Sequence, residues 1–218
     1  MYKKKVLIIG GTGFIGYHLA KKLIKNYQIF SLSINKPNNN RKLKKVKYIL
    51  CDISNYKELK KKLNFNIDII VNLGGYINHR NKKLAQKTHF TGLKNLVKIF
   101  SNKKIKNFIQ IGSSSEYGKC KAPHFETFFC KPKTTYGISK FLASKYLLKI
   151  DPRNFPYTIL RFYQVYGPNQ KFDRIIPMIT RSCLKNREFA CSSGKQNRDF
   201  LYVTDAVNAI YKCFEKRI

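Results

Sequence analysis

The sequence predicts an α/β protein with a parallel, doubly wound sheet, and three observations carry that prediction. Short β-type runs alternate with longer helical patterns along the whole chain. One run, Ile67–Leu73, is apolar nearly throughout, as a strand covered on both faces requires. A glycine-rich turn, Gly10 to Gly16, joins the first strand candidate to the first helix candidate.

In order, Val6–Ile9 reads as a strand and Phe14–Ile24 as a helix with apolar positions at Ile15, Leu19 and Leu23. Gln28–Leu32 is a second strand, Asn38–Asn40 a polar loop, and Val46–Leu50 a third strand. Tyr56–Leu63 is a lysine-rich amphipathic helix, followed by the apolar strand Ile67–Leu73. A single helix is expected over about Leu84–Phe100, then a strand at Phe108–Ile111. A long loop holding Pro123 and Pro132 leads to a helix near Tyr136–Ile150 and a strand at Tyr157–Leu160. Helices near Ile175–Leu184 and Thr204–Phe214 end the pattern.

With 218 residues, 43% of them apolar, the chain is long enough for one domain with a sizeable core, or one domain and part of another. No apolar run reaches the roughly 18 residues that would span a membrane. Lysines precede an apolar run at the start, but that run covers only Val6 to Ile9 and glycines follow, so a strand and a cytoplasmic location are expected. The six cysteines form no C-x-x-C pair and read as reduced, structural thiols, and with the scattered histidines His18, His79, His89 and His124 they suggest no metal site. Forty-four basic against 11 acidic residues give a net charge of +33. One reading is nucleic-acid binding. The lysines, however, are spread over many predicted elements rather than gathered in one tail, which favours a compositional bias. A positive field would in either case attract a diphosphate ligand.

Gly10-Gly11-Thr12-Gly13-Phe14-Ile15-Gly16 satisfies G-x-G-x-x-G through Gly11, Gly13 and Gly16. Glycine permits the tight turn and the close approach of backbone amides to a pyrophosphate, and the helix N-terminus adds partial positive charge. The strand–turn–helix context identifies a dinucleotide-binding Rossmann turn. The acid usual about 20 residues later, which bonds a ribose 2′-hydroxyl, is replaced by Ser33, with Lys36 and Arg41 near in sequence. That exchange leans towards NADP over NAD. Asp52, closing the third strand, is placed to accept from the adenine amino group.

Tyr-x-x-x-Lys occurs four times, at Tyr17/Lys21, Tyr56/Lys60, Tyr117/Lys121 and Tyr136/Lys140. The bare pattern therefore decides nothing. Only Tyr136 opens a helix after the Phe108–Ile111 strand, which runs into Gly112-Ser113-Ser114-Ser115. Lys140 lies beside Tyr136 on one helix face, and an adjacent ammonium favours the ionised phenol. A strand-end serine can hydrogen-bond the substrate oxygen undergoing change. The competing reading is a half-buried helix-start tyrosine beside a polar turn; the glycine turn favours catalysis.

With these residues placed, the sequence resembles the extended short-chain dehydrogenases/reductases, within them the NAD-dependent epimerase/dehydratase group. The likeness runs through the glycine turn, Asp52, Asn72-Leu73-Gly74-Gly75, Gly92-Leu93-Lys94-Asn95-Leu96, Gly112-Ser113-Ser114-Ser115-Glu116-Tyr117-Gly118, Tyr136-Gly137-Ile138-Ser139-Lys140, Leu160–Pro168 and Arg198–Asp205. The Gly112–Gly118 stretch and the run Leu73 to His79 are most similar to enzymes that make deoxysugars such as CDP-abequose. The resemblance implies a catalytic set of Ser113, Tyr136 and Lys140. It implies a cofactor track along Gly10, Thr12, Gly13, Phe14, Ile15, Gly16, Ser33, Asp52, Ile53, Leu73, Gly74, Gly75 and Phe162, with Tyr136 and Lys140 at its nicotinamide end. Ser114, Gln164 and Arg198 would meet the substrate, a nucleotide-diphosphate sugar, Arg198 as a fork on its diphosphate. A homodimer through the helices around Leu84–Phe100 and Tyr136–Ile150 is also implied.

Departures narrow the expected chemistry. The group's 4,6-dehydratases carry Asp-Glu after the catalytic Thr, where this chain has Ser114 and Ser115, which leaves 4-keto reduction or epimerisation. His89 and Gln164 stand where the group usually has asparagine. Relatives usually continue well beyond Ile218, so residues 1–168 are expected to form the cofactor domain and 169–218 a partial, truncated substrate-binding region interleaved with the last Rossmann elements. Two rivals stay open here: an inactive scaffold that binds RNA or an acidic partner through its basic surface, and an inactive truncated relic.

Overall fold

In the computed structural model, residues 3–76 and 81–214 are described; Ile77 to His79, the end of the Leu73–His79 run, lie outside them. Six strands form one parallel sheet: β1 (Lys5–Ile9), β2 (Gln28–Ser33), β3 (Val46–Leu50), β4 (Ile69–Asn72), β5 (Asn107–Ser113) and β6 (Tyr157–Phe162), in the order β3-β2-β1-β4-β5-β6. Every pairing is parallel, with Ile9 opposite Leu32 on one side and Asn72 on the other. The strand order reverses between β1 and β4, which opens a crevice beyond their carboxyl ends, the usual place for a ligand in such sheets.

Two apolar layers cover the sheet, as strands buried on both faces require. On one face Leu7, Ile70 and Phe108 pack with Leu59 of α2 (Tyr56–Lys62), Leu93, Leu96 and Phe100 of α4 (Gly92–Phe100), and Ala143 and Leu147 of α5 (Thr135–Leu147). On the other, Val6, Ile8, Ile69, Val71, Ile109 and Ile111 pack with Leu19 and Leu23 of α1 (Phe14–Leu23) and Val203, Val207 and Ile210 of α7 (Val203–Lys212). The buried amide of Asn107, at the start of β5, donates to the carbonyl of Cys213 and so fixes the end of α7 to the sheet (2.8 Å).

The structure corrects the expected elements in three places. The single helix expected over Leu84–Phe100 is α3 (Lys82–Gln86) joined to α4 by a π-helical turn, Lys87–Thr91. Such a turn has no periodicity of its own for a sequence to show, and it tends to mark functional positions. The long loop after β5 begins with a 3₁₀ turn, Ser114–Tyr117, and the loop at Asn38–Asn40 holds another, Asn39–Arg41. Beyond β6, a two-stranded parallel ladder of β7 (Gln164–Tyr166) and β8 (Phe200–Tyr202) was not anticipated; three residues are too few for an alternating pattern to register. The helix α6 (Ile175–Leu184) lies between these two strands in the chain, with none of its residues buried.

Two substitutions test this packing. Phe108 is fully buried on β5, its ring 5.3 Å from that of Phe155. Phe108→Ala should cost about 3–5 kcal/mol, read as a lower denaturation midpoint at unchanged m-value. At Gly16, a β-carbon would lie 2.5 Å from the carbonyl oxygen of Gly10 and 2.6 Å from Cα of Gly11. Gly16→Ala should therefore destabilise by about 1–3 kcal/mol through overpacking, visible as a lower Tm.

Candidate active site

The crevice starts at the glycine turn. Gly10 takes φ +75°, a conformation that L side chains rarely adopt, and its Cα packs against the carbonyl of Leu73, where a β-carbon would stand 3.0 Å from the oxygen. Gly13 is the N-cap of α1 with no side-chain cap, and the helix has no acid in its first turn. The amides of that first turn therefore have no side chain competing for them, and the glycines leave room for a phosphate to approach. Thr12 donates its backbone N–H to Ser33 Oγ at 3.3 Å, so the residue that replaces the expected acid already touches the turn. Phe14 and Ile15 are half-buried behind it.

Asp52 sits just past β3. Its carboxylate accepts from the Ser54 N–H (2.8 Å) and lies 3.9 Å from Lys87 Nζ. Ile53 is buried beneath Gly92, and its carbonyl accepts from Asn95 (2.9 Å), which ties the end of β3 to α4. At the end of β4, the Gly74 N–H donates to the Asn72 side chain (3.1 Å), and Gly75 packs on the His89 ring, where a β-carbon would stand 2.8 Å from Cε1. The buried His89 imidazole accepts from the Tyr76 N–H through Nε2 (3.2 Å). Its ring meets that of Tyr136 edge-to-face, with 5.3 Å between centroids.

Tyr136 stands at the start of α5, whose N-cap Thr134 accepts from the Gly137 N–H (3.0 Å). Lys140, only 4% exposed, donates from Nζ to the Ile111 carbonyl at 2.7 Å and lies 5.9 Å from the centre of the Tyr136 ring. Ile111 is two residues before Ser113 on β5. The first turn of α5 also rests on the 3₁₀ turn that Ser113 caps: a β-carbon on Gly137 would stand 2.6 Å from the Ser115 carbonyl oxygen. Ser113, Tyr136 and Lys140 are thus gathered at one corner, beside the β4 end that closes over the glycine turn.

The residues expected at the substrate lie further out. Ser114 is half-buried in the 3₁₀ turn, and Phe162 ends β6 half-buried. Gln164 is exposed at the start of β7, and its backbone N–H donates to the carbonyl of Asp199 (3.2 Å), the residue after Arg198. Arg198 is exposed, with Nη2 on Gln196 Oε1 (3.0 Å). Three buried thiols suit a structural role, since burial pushes Cys51 up to about 11 and raises Cys130 and Cys213. Cys183 and Cys191, in contrast, are exposed.

Three neighbours of the site received no role from sequence reasoning. His89 was noted only as standing in place of an asparagine. Glu116, fully buried, accepts the Ser113 N–H on Oε1 (2.8 Å) and pairs through Oε2 with Arg161 Nε (3.2 Å). The spacing Ser113-x-x-Glu116 is a capping-box signature and could have been read as one.

Comparison with known proteins follows this geometry. The profile of the NAD dependent epimerase/dehydratase family matches residues 6–217. A UDP-N-acetyl-alpha-D-glucosaminuronate decarboxylase of Bacillus cytotoxicus is 27% identical over 99% of this chain and 73% of its own. The solved UDP-glucose 4-epimerase of Thermotoga maritima, with UDP-glucose, superposes with a TM-score of 0.90 at 26% identity over 97% of this chain and 74% of its own. The Bacillus cereus UDP-glucuronic acid 4-epimerase, in complex with UDP-glucuronic acid and NAD, gives a TM-score of 0.83 at 26% identity over 98% and 74%. The expected fold and resemblance hold, and the chain belongs to the NAD-dependent epimerase/dehydratase family of enzymes.

Proposed function

We propose that the chain moves hydride between a nicotinamide cofactor and the sugar of a nucleotide-diphosphate sugar, with Tyr136 as acid/base, Lys140 beside it and Ser113 on the reacting oxygen. The observation that carries this reading is the hydrogen bond from Lys140 Nζ to the Ile111 carbonyl, which ties the Tyr136 helix to the strand that ends in Ser113. The uncapped first turn of α1 and the glycine cradle fit a cofactor pyrophosphate, and a bound nicotinamide would supply the carbon that carries the hydride. Gly10 to Gly16 and Leu73 to Gly75 hold the cofactor on this reading, with Ser33, Asp52 and Ile53 at its adenosine end and Phe162 near the nicotinamide. The Tyr136 hydroxyl takes or gives the proton of the sugar hydroxyl, and the Lys140 ammonium stabilises the phenolate as it forms. Ser113 Oγ accepts from backbone N–H groups of the 3₁₀ turn (Ser115 N–H at 3.2 Å), which leaves its O–H as a donor for the sugar oxygen on this reading.

The sequence leaned to NADP; the solved relatives with bound cofactor carry NAD. Arg41 donates to the Asn169 carbonyl, so one of the two cations expected to meet a 2′-phosphate is committed elsewhere. We therefore assign NAD. Because Ser114 and Ser115 replace the dehydratase acid pair, the reaction is epimerisation or 4-keto reduction, and the UDP-sugars bound by the solved relatives are the first substrates to try. Gln164 on β7 and Arg198 just before β8 bind that sugar nucleotide, with Ser114 at its near edge; residues 1–168 form the cofactor domain and 169–218 a partial substrate-binding region whose α7 is interleaved with the Rossmann layers. A homodimer through α3, α4 and α5 is supported by exposed Leu84 and Ile138 on these helices. A cytoplasmic location remains part of this reading; among the described residues no helix is long and apolar enough to cross a membrane.

Tyr136→Phe should lower kcat by about 10²-fold or more while NAD still raises the melting temperature of the variant; undiminished turnover refutes the assignment. In a thermal-shift comparison, NAD should stabilise the wild-type protein at lower concentration than NADP, and the reverse order would reinstate the NADP reading.

A further inference from the structure

We infer that Glu116 is a positioning residue for Ser113, and that Arg161 holds its carboxyl group in place for that task. The inference rests on the functional reading above, in which Ser113 meets the sugar oxygen. Glu116 has no exposed surface, yet it is not spent on a surface pair or on substrate. One carboxylate oxygen reaches back to the Ser113 N–H at 2.8 Å, and the other accepts from Arg161 Nε at 3.2 Å. The Ser113 hydroxyl closes the other half of the capping box by accepting from the Ser115 N–H. Both the backbone and the side chain of the serine are thereby fixed by one short 3₁₀ turn, Ser114–Tyr117.

The surroundings are built to keep that carboxylate in place. Gly112 supplies the space it occupies: a β-carbon there would stand 2.4 Å from Glu116 Oε1. Arg161 is itself wedged, with its guanidinium 4.9 Å from the centre of the Tyr117 ring and its Nη1 donating to the Glu126 carbonyl at 3.4 Å. Tyr117 stacks on His124 at 4.5 Å and 8°, and His124 bonds to the Tyr163 hydroxyl (2.6 Å) and the Cys120 carbonyl (2.9 Å). A buried carboxylate persists only when paired and hydrogen-bonded. Here one partner is the arginine and the other is the amide of the proposed catalytic serine. Lys140 grips the same strand at Ile111, so the strand end is held by a cation on one side of Ser113 and an anion on the other.

The test pairs two variants that separate reach from charge. Glu116→Asp keeps the charge and loses the reach to the Ser113 amide. Glu116→Gln keeps an acceptor of the right length and loses the charge. Each is measured alone and in a Ser113→Ala background, with the UDP-sugar that the wild-type enzyme turns over, alongside NAD binding and thermal melting. A displacement of about 1 Å at a reacting group can cost on the order of 10²-fold in rate. Glu116→Asp should thus lose about 10- to 100-fold in kcat, with KM and NAD affinity within about twofold, and Glu116→Gln should recover at least about tenfold of that loss. In the Ser113→Ala background, Glu116→Asp should have no further effect on kcat. Wild-type kcat in Glu116→Asp, a loss confined to KM, or a loss additive with Ser113→Ala would overturn the inference. If Glu116→Asp fails to fold, the pair replacement Glu116→Val with Arg161→Met, which removes the grip on the Ser113 amide without leaving an unpaired buried charge, takes its place in the cycle and is read by the same additivity. An unchanged kcat in Ser113→Ala, or no wild-type turnover of any UDP-sugar, would instead overturn the functional reading, and this inference with it.

Discussion

A single buried charge organises the site. The Lys140 ammonium has left solvent almost completely and is held by the Ile111 carbonyl. Desolvating an ammonium is costly unless its hydrogen bonds are made, so α5 can dock in few other registers than the one that lays its first turn across the end of β5. Tyr136 is one helical turn from that anchor, and Ser113 is two residues along the strand. That contact brings phenol and amine to the end of β5, where the capping box with Glu116 fixes the Ser113 hydroxyl, and the glycine turn is brought alongside by the sheet order, since β4 alone separates β1 from β5.

Much of this was legible in the sequence, and the reasons differ by element. The glycine turn declared itself because its backbone geometry excludes side chains: the Gly16 and Gly10 contacts leave no room for a β-carbon. The buried strands declared themselves by composition, and the Tyr136/Lys140 pair by its place after a strand ending in serines. Tyr17, Tyr56 and Tyr117 carry the same spacing without that place. The loss of regular periodicity hid the rest. The π-turn at Lys87–Thr91 is what seats His89 against Tyr136, and neither an inserted turn residue nor a three-residue strand such as β7 or β8 alters a hydrophobic pattern enough to be seen. Glu116 was hidden differently. Its capping-box spacing was in plain view, but its partner Arg161 lies 45 residues away and joins it only through the β5–β6 pairing.

The same distinction separates the secure part of the site from the outer part. Ser113, Tyr136 and Lys140 sit on elements buried in the main sheet layers, where each side chain is fixed by packing. Gln164 and Arg198 sit on a short ladder and an exposed segment, whose backbone is held by few bonds. Order thus falls off from the Ser113–Tyr136–Lys140 corner towards Gln164 and Arg198, in a family whose relatives carry names for different nucleotide sugars.

The position of α7 has a consequence for how the chain is assembled. This helix comes after the β7–β8 ladder, yet its apolar face seals Ile109 and Ile111 from the α1 side, and the Asn107 amide waits for the Cys213 carbonyl. The layer that receives the dinucleotide is therefore completed by a helix that follows the β7–β8 ladder in the chain. During synthesis, all six strands emerge before the helix that seals Ile109 and Ile111, and the Asn107–Cys213 contact spans 106 residues, a long loop to order in one step. A growing polypeptide of this kind leaves Ile109 and Ile111 open to wrong partners until residues 203–213 have emerged.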